Sequence, residues 1–490
     1  MNKNRLQKIV SWLGLAAIAC GILLTLNIPV NADAPLHYTE LELPPLPEVE
    51  LPEYERYELD SGMVVYLVED RDLPLISGTA LISTGSRLEP ANKVGLAKLT
   101  ATVMRSGGTK NHPAEELNSI LEQKAASIET DMGITYGSAS FNTLTEDLNT
   151  VFPLFAETLR QPAFAEEKLA LAKNQVKGAI ARRNDDPGDI AEREFDKLIY
   201  GDASPYARTA EYETIDNIER QDAIDFYTEY VRPDNIILGV VGDFDTDEMK
   251  DLIAETFGDW KTDNAVSPLD IPTATQKHQG AVFLVDRPDL SQSNIFLGHL
   301  GGQFDSPDYP ILSVINGVLN GFGGRLFNEV RSRQGLAYSV YGYWNPSYDF
   351  DGKFIAGGQT RSNTTVPFIQ SIQAEIAKLR TTPVTEQELA NAKESILNSF
   401  VFNFQSPSQT LSRLMRYEYF GYPEDFIFDY QKQVKKTTVE DILEVAQEYL
   451  QPEKIVTLVV GNSQAMNPPL SSLSPEVKTV DISIPQPPRS

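Results

Sequence analysis

Residues 229–243, EYVRPDNIILGVVGD, recur as residues 448–462, EYLQPEKIVTLVVGN, at a constant offset of 219. The two copies share Glu, Tyr, Pro, Ile, Val, Val and Gly in register. Each reads as the end of a helix, a proline that stops it, and an apolar run of strand length. The helices before them align as well, with Asp222 opposite Asp441. Farther upstream, ISGTALIST at 76–84 is echoed by SNIFLGHLG at 293–301, and a helical pattern follows each. Two copies of one unit account for this spacing.

Outward from the repeat, strands are expected at 63–69, 76–83, 281–285 and 294–299. Helical periodicity follows at 94–104, 114–125, 146–159, 165–183, 311–319, 368–379 and 386–402. Strands followed by helices, twice over, imply an α+β chain of two homologous domains. Each is expected to be a mainly antiparallel sheet with helices packed on one face. The domains are placed at 56–262 and 281–463, joined by a linker of turn-rich composition at 263–280. A proline-rich arm at 33–55 precedes them, and a proline-rich tail at 464–490, read as loose, follows.

The amino terminus carries Lys3, Arg5 and Lys8, then an apolar run from Ile9 to about Leu26, then Val30-Asn31-Ala32. This pattern at 1–32 reads as a secretory signal, with an uncleaved membrane anchor as the alternative. The expected location is therefore the periplasm or the outer face of an inner membrane. Cys20, the single cysteine, lies inside that run, so a processed chain contains no disulfide. At 490 residues the chain has ample apolar content to stabilise itself by burial.

The formal charge is −27, and loss of the three basic residues at the amino terminus makes it −30. Nucleic acid is thereby excluded as an expected partner; the acidic balance reads as a solubility feature or, alternatively, as an attraction for basic peptides. Four histidines occur: His37, His112, His278 and His299. No two have metal-ligand spacing, and no H-E-x-x-H occurs. The glycines of NGFGGR, Gly321, Gly323 and Gly324, match neither a P-loop nor a dinucleotide fingerprint and read as a flexible loop before a helix.

Two further segments resemble the insulinase and pitrilysin-like metallopeptidases. GLAKLTATVM at 95–104 stands where that family carries the inverted zinc motif H-x-x-E-H. GRLFNEVRSRQGLAYSV at 324–340 resembles its arginine–tyrosine segment, with Arg331 and Tyr338 in the matching places. The resemblance spans about 57–462 and is similar to mitochondrial processing peptidase and bacterial two-subunit relatives.

By that resemblance the metal-site positions are Lys98, Ala101 and Thr102, with Ala179 at the later carboxylate position. None of these side chains is a useful zinc ligand or base. The resemblance implies a noncatalytic, substrate-binding subunit with no cofactor of its own. Its expected partner is a related H-x-x-E-H-bearing peptidase subunit holding zinc, or a second copy of this chain in a homodimer. Arg331 would hold a substrate carbonyl, and Tyr338 would donate to the developing oxyanion. Arg325 and Arg333 are read as structural or surface residues. The alternative is an inactive scaffold or peptide-binding subunit of a membrane-associated complex.

Overall fold

A computed structural model describes residues 49, 51–262, 271–321 and 323–485. The amino-terminal stretch read as a secretory signal, Cys20, His37, most of the arm and the first half of the linker lie outside the described residues.

The first sheet comprises β1 (Glu55–Glu58), β2 (Val64–Glu69), β3 (Leu75–Ile82), β4 (Ser127–Met132), β5 (Gly137–Leu144) and β6 (Ile236–Gly242). Their spatial order is β1-β2-β6-β3-β5-β4. The second comprises β7 (Val282–Asp286), β8 (Gln292–Leu300), β9 (Ala337–Asn345), β10 (Lys353–Arg361), β11 (Val456–Gly461) and β12 (Val477–Thr479), in the order β12-β7-β11-β8-β10-β9. Pairing is mainly antiparallel, with β2–β6, β7–β11 and β7–β12 parallel.

The repeated stretches form β6 and β11, in which every residue is buried. The helices before them start the same way. Asp222 accepts the Glu219 N–H at 2.7 Å, and Asp441 accepts the Thr438 N–H at 2.8 Å, closing two equivalent capping boxes. One face of each sheet carries the main core of its own half. Phe141, Phe152, Phe155 and Phe257 interlock in the first, and Ile295, Leu297, Phe354 and Phe368 fill the second.

The opposite faces are covered by exchange. In chain order, let α1 be Leu96–Ser106, α2 Glu166–Arg182, α3 Pro187–Tyr200 and α4 Pro407–Phe420. Helix α3, from the first half, lays Ile190, Phe195 and Ile199 on Phe283, Val285, Val456 and Leu458 of the second sheet. Helix α4, from the second half, lays Leu411, Leu414 and Met415 on Tyr66, Val68, Ile237 and Val241 of the first. Both begin with proline at the first turn, capped by Asp186 and Ser406 respectively. The expected covering of one face is thus completed by a helix from the other half. The buried Arg87–Asp349 pair, at 2.6 Å, adds a polar tie between the halves.

The carboxy-terminal stretch is not a loose tail over its described part. Val477, Lys478 and Thr479 pair in parallel with Val282, Phe283 and Leu284, and Met466 and Leu470 are buried. Beyond them, Asn184 of the first half donates to the Ile482 carbonyl at 2.6 Å, and Ile484 packs on the first core. Prolines prevent a helix here, but strand β7 would otherwise be an edge with open backbone groups, which the tail satisfies. The described part of the linker is likewise engaged. Lys277 N–H donates to the Ile199 carbonyl at 2.7 Å, and Ala274 is buried.

Candidate functional site

Helix α1 starts at Gly95, whose φ is +104°, with the buried Glu89 carboxylate accepting the Gly95 and Ala97 N–H groups at 3.0 Å each. Burial pushes the Glu89 carboxyl up, while those backbone donors and Arg208 oppose the shift. This cap fixes the register of α1 and hence the three residues at the metal-site positions.

Lys98 is exposed and ion-paired with Asp131 on edge strand β4. Ala101 is buried, and its carbonyl accepts the Thr130 hydroxyl at 2.6 Å. The Thr102 hydroxyl donates back to the Lys98 carbonyl at 2.8 Å, inside the helix. Ala179 presents a methyl on the exposed side of α2. Zinc takes four nitrogen, sulfur or oxygen ligands, three or more from protein. These positions offer one paired ammonium, one hydroxyl already engaged and two methyl groups, so they do not fit the metal. Among the described residues, no three His, Cys, Asp or Glu side chains converge on a point where a metal could be held.

The described histidines, His112, His278 and His299, have structural roles. His112 Nδ1 lies 2.8 Å from Glu157. His278 packs against the Phe283 ring, and desolvation lowers its pKa. His299 is buried between the Leu300 carbonyl, at 2.7 Å from Nδ1, and the Gln451 N–H, at 3.2 Å from Nε2. Desolvation favours its neutral form, and the donor at Nε2 places the proton on Nδ1.

Arg331 and Tyr338 come together. Arg331 sits on a π-helical turn, Phe327–Arg333, anchored from beneath by buried Leu326 and Val330. Gly335 ends the turn with φ +61°, a conformation that favours glycine although a side chain would meet nothing there. The Leu336 N–H then donates to the Val330 carbonyl at 3.0 Å, and β9 begins. The guanidinium carbon of Arg331 lies 4.8 Å from the Phe327 ring centroid and 4.9 Å from that of Tyr338. It is thus held by two aromatic rings. Among the described residues no carboxylate pairs with it.

Tyr338 is placed by a local irregularity of the edge strand. Ser339 faces Gln359 and Ala337 faces Thr360, so Tyr338 is the extra residue of a β-bulge. The bulge turns its side chain outward, where it is 85% exposed. Beside the bulge, Gly358 approaches the Ser339 carbonyl so closely that a Cβ would stand 2.2 Å from the oxygen.

The neighbouring arginines are occupied otherwise. Arg325 makes a two-pronged contact with Glu388, at 2.6 and 3.1 Å, and Arg333 pairs with Glu329. Gly321 and Gly324 form a tight turn closed by the Gly324 N–H on the Gly321 carbonyl at 3.1 Å. Sequence reasoning missed Phe327. Its spacing of four from Arg331 on a helical turn was the signal available.

Residues 76–204 match the profile of Insulinase (Peptidase family M16), and residues 217–396 match that of the Peptidase M16 inactive domain. The chain belongs to the insulinase family of peptidases. Among relatives of this M16 protein is an uncharacterized zinc protease, YmxG, of Bacillus subtilis, 26% identical over 73% of this chain and 86% of that one. Another is a non-peptidase homolog, also YmxG, of Helicobacter pylori, 24% identical over 78% and 87%. The peptidase M16 inactive domain from Pseudomonas fluorescens superposes with a TM-score of 0.76 at 25% identity, covering 85% of this chain and all of that one. The periplasmic protease PqqL of Escherichia coli shares the fold, with a TM-score of 0.70 at 16% identity over 87% of this chain and 48% of that one. At the positions that the resemblance assigns to the metal, this insulinase-family member presents no side chain suited to holding zinc. Among its described residues no helix is long and apolar enough to cross a membrane.

Proposed function

We propose that this chain is the substrate-binding subunit of a heteromeric zinc metallopeptidase. It supplies Arg331 and Tyr338 to the catalytic site of a related subunit bearing H-x-x-E-H. The observation that carries this reading is an exposed phenol and an acid-free guanidinium, held together at a bulged sheet edge in a chain whose own metal-site positions are empty of donors.

The division of labour follows from the side chains. Arg331, fixed between two rings, keeps its N–H donors for a substrate backbone carbonyl. Tyr338 can donate its O–H to an oxygen that gains negative charge as the peptide carbonyl is attacked, an interaction stronger in the transition state than in the substrate. Neither role needs a metal in this chain. A charge of −27 favours basic peptides as substrates. The amino-terminal pattern supports export to the periplasm or the outer face of the inner membrane, and a structural relative, PqqL, is periplasmic.

The test is chelator-sensitive peptide cleavage by the chain alone and by the complex captured from its native host. Activity confined to the captured complex, with an H-x-x-E-H chain in it, is the expected result. A captured complex without such a chain and without cleavage returns the protein to the scaffold reading.

A further inference from the structure

A second site lies on α4, on the side turned away from the first sheet. Leu411, Leu414 and Met415 face the sheet, so the helical period turns Gln409, Ser412, Arg413 and Arg416 the other way. There they line a cleft of about 460 Å³ with Tyr348 and Phe402. This is within the range of roughly 300–1,000 Å³ of small-ligand clefts.

Two guanidiniums converge on the cleft in a chain of strongly negative charge, and among the described residues neither is paired with a carboxylate. Arg413 Nη2 donates to the Asn403 side-chain oxygen at 2.9 Å, its Cζ lies 5.8 Å from the Phe404 ring centroid, and its Nε is buried without a partner. Arg416 lies over the Tyr348 ring, 5.9 Å from its centroid, with no hydrogen bond among the described residues. A buried guanidinium donor without an acceptor carries a desolvation cost that an incoming anion removes. Beside the cations, Phe402 is 61% exposed, so its ring offers apolar surface to whatever enters the cleft.

We infer that this cleft binds the carboxy-terminal carboxylate of a peptide whose last residue is apolar. The carboxylate bridges Arg413 and Arg416, and Phe402 and Tyr348 cover the side chain. A free inorganic anion satisfies only the first half of that arrangement. The inference concerns this chain alone and stands apart from any partner's zinc site, so failure of either reading leaves the other intact.

The experiment uses the full chain and a short peptide ending in Phe, labelled at its amino terminus, with binding followed by fluorescence anisotropy. The free acid should bind at least tenfold tighter than the same peptide with an amidated terminus, and added salt should weaken it. Arg416→Ala should lose at least tenfold in affinity while the far-ultraviolet dichroism and unfolding midpoint stay unchanged. Phe402→Ala, at an exposed position, should weaken the Phe-ending peptide more than one ending in Gly. Equal binding of acid and amide, binding unaffected by both substitutions, or no binding of the acid overturns the proposal. So does displacement by inorganic phosphate at a concentration equal to the peptide's own dissociation constant, which would mark a simple anion site.

Discussion

The Arg331 guanidinium carbon stands 4.9 Å from the centre of the Tyr338 ring, and the bulge that displaces Tyr338 from the regular ladder is what brings the two together. Were the strand regular, Tyr338 would be held at a paired position of the ladder, opposite a residue of β10. The extra residue frees it to lean over the arginine while its phenol points to solvent.

Tyr338→Phe removes the hydroxyl and keeps the ring. Since the side chain is 85% exposed, folding stability should change by less than about 0.5 kcal/mol. In the assembled complex, peptide hydrolysis should fall by on the order of 10²-fold in kcat with assembly unchanged, the usual cost of one oxyanion donor. Steady-state kinetics beside size-exclusion chromatography of the complex checks both, and retention of full kcat rejects the assigned role.

Zinc content tests the metal-site assignment directly. Equilibrium dialysis with elemental analysis should find the isolated chain far below one zinc per molecule. The combined changes Lys98→His, Ala101→Glu, Thr102→His and Ala179→Glu should raise this toward one. They place two imidazoles one helical turn apart on α1 and a carboxylate on α2. No gain would mean that these positions do not face a common point.

The exchanged helices make the two halves fold as one unit. Phe195 is fully buried, with its ring 5.5 Å from that of Phe296 in the other half. Phe195→Ala should cost about 3–5 kcal/mol and shift a single unfolding transition, monitored by denaturant titration with two spectroscopic probes. Residues 56–262 expressed alone should expose the apolar face of β2 and β6 and aggregate, and co-expression with the second half should rescue them. A soluble, folded first half would show that α4 is dispensable.

Glu388 gives a pH signature. Its hydrogen bonds from Arg325, with further help from Thr385, hold the carboxyl at about 2 against an ordinary 4.5. A depressed folded-state value means that the contribution to stability is complete above about pH 4.5 and is lost as pH falls toward 2. Glu388→Gln should cost about 1–2 kcal/mol near neutral pH. The difference from wild type should shrink below pH 4.5, as read by unfolding at a series of pH values. A difference constant down to pH 3 would contradict the ion-pair origin.

How much of this was legible beforehand depended on the range of the interaction. Strands β2, β3, β7 and β8 were readable because runs such as VVYLVE declare themselves within a few residues. The arginine–tyrosine pair was legible through its resemblance to the family's segment, with Gly335 marking where the turn ends. The bulge was not, because a bulge is defined by the partner strand and Thr360 lies more than twenty residues downstream, whereas Phe327 was signalled only by its spacing of four from Arg331. The tail misled because prolines report the absence of a helix, not the absence of a binding edge such as β7.

The sequence by itself determined the duplication, the mainly antiparallel class, the residue types Lys98, Ala101, Thr102 and Ala179 where the resemblance places a metal site, and the presence of Arg331 with Tyr338. These are local properties, written in residue type and in spacing along one chain. Only the tertiary structure decided that α3 and α4 change places and cover the second face of each sheet, where the sequence had led to helices on one face alone. A pattern can state that a face is buried, but not by what. The choice of cover rests on the fit between Phe195 and one sheet and between Met415 and the other, contacts between residues far apart in the chain.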